Sequence, residues 1–235
     1  MSTLSAPAEA QLRATAEARS SLGLLGSAVV AVATAVVLLA VAVLPLLTPA
    51  WIHIAMAQSG GLADGASLQE SFRLSDLTVN ELLLGPGTFA ITYAGGRPLY
   101  GPDEIGHLQD VRLVLWAFLG AAAVGAVVIL IALVRLPQAA AWRAIGRGGV
   151  GLAIALAAAG LFAVVAFGAA FELFHRILFP GGNWAFDPRQ SNLVSLYPLA
   201  FWQLSAASFG GLGIGAGLVA WFIARRRARA AGPGL

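Results

Sequence analysis

Four stretches of this chain, residues 22–47, 113–134, 148–171 and 199–224, each run past twenty residues without a charged side chain. A helix rises about 1.5 Å per residue, so about 20 residues cross the hydrocarbon core of a bilayer. In hydrocarbon every backbone N–H and C=O must be satisfied internally, which makes each stretch a helix. Composition agrees: 59% of residues are hydrophobic, 11% are charged and the mean hydropathy is +0.83, which excludes a soluble globular domain. The expected fold class is an all-α integral membrane protein. It has four transmembrane helices and a small extracytoplasmic cap between helices 1 and 2.

The basic residues orient the bundle. All 14 are arginine. Arg13 and Arg19 precede the first span, Arg135, Arg143 and Arg147 lie between the second and third, and Arg225, Arg226, Arg227 and Arg229 follow the fourth. The positive-inside rule places these segments in the cytoplasm. Residues 49–110 carry seven acids against Arg73 and Arg97, which suits the opposite side. The expected order is a cytoplasmic tail at 1–21, helix 1 at 22–48, the cap at 49–110 and helix 2 at 111–135. A cytoplasmic loop at 136–147, helix 3 at 148–173, an outer loop at 174–198, helix 4 at 199–224 and a cytoplasmic tail at 225–235 follow. The net charge of +3 is therefore a topology signal, and no clustered basic face outside these flanks suggests nucleic acid. Ala55-Met56-Ala57 resembles a signal-peptidase site, but the apolar run before it exceeds a cleaved signal's 7–15 residues. Helix 1 reads as a retained anchor. With no cysteine, thiol catalysis and disulfides are excluded.

Within the cap, Ser67 with Glu70 and Thr78 with Glu81 have capping-box spacing, and Gly85-Pro86-Gly87 is a stop. Residues 88–93 predict a short extended stretch closed by Gly95-Gly96. Pro102, Asp103 and Glu104 predict a first helical turn that continues into helix 2. In helix 4 the run GGLGIGAG has no strand before it, so it reads as helix packing through Gly211/Gly215 and Gly213/Gly217.

The chemistry concentrates on two histidines, His107 just before helix 2 and His175 just after helix 3. Topology puts both at one membrane face. At 100° per residue, Asp103, Glu104, His107 and Asp110 fall within an arc of about 120°. A carboxylate three or four residues away can hold one ring nitrogen as N–H, and Glu172 stands so to His175. An imidazole with a reference pKa of about 6.5 both takes and gives a proton near neutrality. His53, beside Trp51, reads as a packed interfacial residue. A metal site on the same histidines is the alternative, against which stands the lack of a compact His-x-x-x-His or HExxH pair. After His175, Pro180-Gly181-Gly182-Asn183 makes a tight turn and Trp184, Phe186, Tyr197, Phe201 and Trp202 form an aromatic belt. That loop is either an aromatic anchor, or one whose turn N–H groups and Asn183 side chain face a reacting carbonyl.

The blocks EIGHLQDV (104–111), FHRILFPGGNWAF (174–186) and NLVSLYPLAFW (192–202) resemble the hallmark blocks of the lipoprotein intramolecular transacylase family. That family comprises small four-helix membrane proteins of bacteria. The resemblance implies that His107 and His175 are the essential pair. It implies transfer of an acyl chain from the glyceryl group of a lipoprotein to the α-amine of its N-terminal cysteine. Ser191 and Asn192 stand where the family pattern has an acid, and Leu108 where it often has Met.

The expectation is thus a multi-pass enzyme of the bacterial cell membrane, both termini cytoplasmic, acting at the outer face on a diacylglyceryl-modified lipoprotein among membrane lipid. Catalysis falls to His107 and His175, with Glu104, Asp110, Glu172, Asn183, Trp184 and Tyr197 supporting or positioning. Neither metal nor cofactor is expected. Its rivals are a metal-dependent membrane hydrolase on the same histidines and a non-enzymatic membrane assembly factor.

Overall fold

The computed structural model describes the backbone of residues 6–232 and the side chains of residues 23–232. Arg13 and Arg19 lie outside the described side chains. Helix α1 spans Ala6–Val43 and gives way to one 3-10 turn at Leu44–Leu47 that holds Pro45. Proline lacks the N–H that would continue the α-helical ladder. Thr48 then caps α2 (Pro49–Ser59), its hydroxyl accepting from the Trp51 N–H at 3.4 Å, with Pro49 in the first turn. Ala55 and Met56 are fully buried in α2, so the tripeptide that resembles a cleavage site is packed helix.

The next helix, α3 (Leu68–Leu83), starts at Ser67, whose hydroxyl accepts from the Glu70 N–H at 3.2 Å. The second expected cap is not one. Thr78 lies buried inside α3, donating to the Leu74 carbonyl and sharing a 2.8 Å hydrogen bond with the Tyr100 hydroxyl. The Glu81 carboxylate turns forward, to the N–H groups of Thr88 and Phe89 at 2.8 and 3.2 Å. Spacing cannot distinguish the two outcomes, because a buried threonine can satisfy its hydroxyl on the preceding turn. The extended stretch shrinks to a single antiparallel bridge between Thr92 and Pro98, turned at Gly96 with φ 81°.

Among the described residues four helices are long and apolar enough to cross a membrane: α1, α4 (Pro102–Arg135), α5 (Gln138–Leu178) and α7 (Leu199–Ala230). Short α6 (Asn192–Leu196) precedes α7. In the bundle α5 packs along α7, while α1 lies against α4 and α5. A Cβ built on Gly217 would stand 2.5 Å from the Gly149 carbonyl oxygen, so the α5–α7 crossing requires both glycines. Gly213 meets Leu156, whereas Gly211 and Gly215 face open space, which corrects the expected first pair. Helix α5 is broken at Ala166 (φ −143°, ψ 56°), so its last turns run beyond a bend.

The main core is not in the bundle. It joins Met56, Leu74, Phe89 and Leu99 of the cap to Leu108 of α4, Leu196 of α6, and Tyr197 and Phe201 beyond it. Too few apolar residues lie in 49–101 to bury a core alone; the cap acquires one from the loop after α5. This shared core fixes the start of α4 against the start of α7.

Candidate active site

Pro102 and Gly101 open α4, with Asp103 and Glu104 in the first turn at the positive end of the dipole. Glu104 is buried and fully employed. Its Oε2 accepts from the Gly101 N–H at 2.8 Å, and its Oε1 accepts from the Ser191 hydroxyl at 2.6 Å and the Leu193 N–H at 2.8 Å. It therefore staples α4 to the start of α6 instead of holding an imidazole, contrary to the spacing argument. Ser191, where the family pattern has an acid, is its partner. Asn192 takes part in the same junction, accepting from the Asp64 N–H and the Tyr93 hydroxyl and donating to the Leu99 carbonyl.

One turn along α4 stands His107. Its ring centroid lies 6.1 Å from that of His175, the planes 28° apart, and both residues are buried. Aromatic rings surround the pair. Phe179 and Phe186 stand edge-on to His107 at 4.9 and 5.8 Å, while Phe171 and Trp184 lie 4.1 and 5.0 Å from His175. Phe171, His175 and Phe179 are four residues apart on one helical face, so the sequence carried this cage in its spacing. Of these residues the sequence points to Trp184 as a site residue and to Phe186 within the aromatic belt, but to neither Phe171 nor Phe179.

The remaining expected acids also take other partners. Asp110 accepts from the Asn183 amide at 2.7 Å, tying the Pro180–Asn183 turn to α4. Glu172 pairs with Arg176 at 2.5 Å, an i,i+4 contact that supplies the counter-charge its depth demands. Tyr197 points into the cap, its hydroxyl 2.8 Å from that of Ser75, and burial pushes its pKa up to about 12. It does not join the histidines. His53 lies stacked on Phe72 at 4.1 Å and 2.8 Å from Asp76, a packed residue of the cap.

The two imidazoles differ. His175 Nδ1 lies 2.8 Å from the Phe171 carbonyl oxygen, which can only accept, so Nδ1 carries the proton and Nε2 presents its lone pair. His107 Nδ1 is buried with no partner among the described residues. Both rings lie beyond the ends of the charge-free spans, among protein groups. Burial, then the neighbouring His175, pushes the His107 pKa down to about 4, against an opposing pull from Asp110. Burial also lowers that of His175, partly offset by the Phe171 carbonyl. At neutral pH the pair is uncharged. Among the described residues no His, Asp or Glu adds a third potential ligand to make a metal-holding group.

The model of the lipoprotein intramolecular transacylase Lit family matches residues 92–202. Among solved structures, the membrane-integral lipoprotein intramolecular transacylase Lit from Bacillus cereus has a TM-score of 0.74 at 20% identity, over 90% of this chain and 98% of that one. A form of the Bacillus cereus protein with one histidine replaced by arginine has a TM-score of 0.70 at 20% identity, over 93% and 97%. A form with histidine replaced by alanine has 0.62 at 20%, over 92% and 98%. No curated protein matches the sequence. The segment that matches the family model, 92–202, holds both buried histidines, and over nine-tenths of its length the chain carries the fold of the Bacillus cereus protein.

Proposed function

We propose that this chain moves the sn-2 acyl chain of a diacylglyceryl lipoprotein to the α-amine of the same molecule's N-terminal cysteine, with His107 and His175 as the proton-handling pair. The observation that carries this reading is the pair itself: two neutral imidazoles 6.1 Å apart in an aromatic cage at the end of apolar spans. That is the depth at which a glyceryl ester lies. The family match supports the reaction class.

Donor and acceptor within one substrate supply proximity, which can lower a barrier by several kcal/mol. The amine nitrogen attacks the ester carbonyl, and His175 Nε2, its lone pair free, accepts the proton that nitrogen sheds. The tetrahedral intermediate collapses by breaking the bond to the sn-2 oxygen, which must leave protonated. His175 passes that proton to His107, which, the more strongly shifted of the two, is the stronger acid as an imidazolium and so the better final donor to the leaving oxygen. The proton lost by nitrogen thus ends on the glyceryl oxygen, and both rings return to neutral. No enzyme nucleophile is required. Asp110 and Asn183 hold the turn that brings Trp184 and Phe186 over the rings. Glu172 answers Arg176, and Glu104 fixes the helix from which His107 projects.

We place the histidine end of the bundle at the outer face of a bacterial cell membrane, with residues 49–110 and 174–198 outside. The arginine distribution supports this. The test is mass spectrometry of the N-terminal peptide of a native lipoprotein from cells with and without this chain. The expected product carries one acyl chain on the cysteine nitrogen and one on the glyceryl group. An unacylated amine in cells that express the chain would overturn the reading, as would loss of activity on chelation, which would favour a metal-dependent hydrolase.

A further inference from the structure

At the end of the bundle remote from the histidines, α5 and α7 enclose a cleft of about 360 Å³. Arg143 and Arg147 of α5 and Arg225 and Arg229 of α7 line it, together with Trp142 and Trp221. Each arginine pair is spaced i,i+4, so both guanidiniums of a helix emerge on one face. The Gly149–Gly217 contact draws the two faces together, and Gly146 packs on Ala224 just above them.

We propose that this cleft binds the phosphate of an anionic phospholipid, a site separate from the acyl-transfer centre. None of the four guanidiniums pairs with a carboxylate among the described residues, although four like charges around one cleft repel each other. Arg147 donates to the Ser27 hydroxyl at 2.8 Å, and Arg225 lies 5.4 Å over the Trp221 ring. Both side chains are thereby steadied while most of their N–H donors stay available. A guanidinium fork matches two phosphate oxygens at once, and neighbouring forks can share one phosphate. The indoles are of the type that settles at headgroup level. Val150 and Ala224 continue the wall towards the apolar spans, so a bound phosphate would have somewhere to lay an acyl chain. This apolar extension distinguishes a lipid headgroup from free phosphate as the occupant. Topology alone asks for basic residues at this end, but not for their convergence on one cleft with tryptophan walls.

The test separates charge from shape. The purified protein is exchanged into detergent with mixed phosphatidylglycerol and phosphatidylcholine, and retained lipid is counted by native mass spectrometry. The expected result is a preference for phosphatidylglycerol on the order of tenfold. R147K/R225K keeps the membrane-orienting charge but removes the forks, and should lose most of that preference; R147Q/R225Q should abolish it. Glycerol phosphate and inorganic phosphate, added as competitors, should displace little. Equal retention of the two lipids, unchanged preference in the lysine variant, or displacement by inorganic phosphate would each overturn the proposal. Because the readout is lipid retention, the outcome is independent of acyl transfer.

Discussion

At the scale of single residues, the histidine pair makes the sharpest demands. Replacing either His107 or His175 by alanine or asparagine should cost about 10²–10⁴-fold in turnover, while the protein still inserts. On the proposed mechanism both act on the same proton, so the double variant should cost far less than the product of the singles. His53→Ala is the control: it loses a stacking contact and a bond to Asp76 but should leave turnover near normal. Retained turnover in His107→Ala, assayed on a purified lipopeptide, would remove the pair from the reaction. A second prediction concerns pH. His107 has a folded pKa of about 4 against 6.5 unfolded, so between those values the unfolded chain binds more protons. The stability contributed by the neutral ring is complete above pH 6.5 and is lost as pH falls towards 4. Thermal unfolding followed by tryptophan fluorescence should show a larger drop between pH 7 and pH 5 in the parent than in His107→Asn. Burial also lowers the pKa of His175, the proposed base, so the acid limb of turnover should lie below that of an ordinary imidazole.

Elements show what could and could not be read from sequence. The spans were legible because absence of charge over twenty residues has one physical solution, and the first turn of α4 because proline and two acids suit a helix start and little else. The partners of the carboxylates were not. Glu104, Asp110 and Glu172 all have the right spacing to touch an imidazole, yet Ser191, Asn183 and Arg176 respectively claim them. Two of these partners lie more than seventy residues away, and helical spacing carries no information about contacts that long loops create. The aromatic cage was half legible, since Phe171 and Phe179 flank His175 at four-residue steps. The bend at Ala166 had no signal beyond Gly168 two residues later. The Glu104 staple yields its own prediction. Glu104→Ala leaves the N–H groups of Gly101 and Leu193 and the Ser191 hydroxyl without their acceptor, at about 1–3 kcal/mol per stranded donor. Protease resistance of the cap should fall sharply. If it is unchanged, the staple does not hold the cap to α4. In the bundle, Gly217→Leu should disrupt the α5–α7 contact while Gly215→Leu, which faces open space, should be tolerated. Detergent-resistance assays separate the two.

For the whole molecule, one core joins the cap to the helical bundle. That core runs from Met56 and Phe89 to Leu196 and Phe201, so the helices bearing His107 and His175 are positioned by residues distant in the chain. The consequence for catalysis is that both histidines must meet the same leaflet. A cysteine at exposed Gly95 should react with an impermeant maleimide in intact cells, and one at exposed Gln138 only after lysis. The reverse pattern would place the histidine pair in the cytoplasm and end the lipoprotein reading, because mature lipoproteins present their amines outside. Acyl transfer within one substrate is the stricter condition. With a mixture of lipopeptides, half carrying deuterated acyl chains and half carrying a labelled peptide, an intramolecular reaction keeps each acyl chain with its original peptide. The two rings, 6.1 Å apart centroid to centroid, stand close enough to serve one reacting carbonyl. Products that combine a deuterated chain with a labelled peptide would show exchange between molecules and overturn the intramolecular reading.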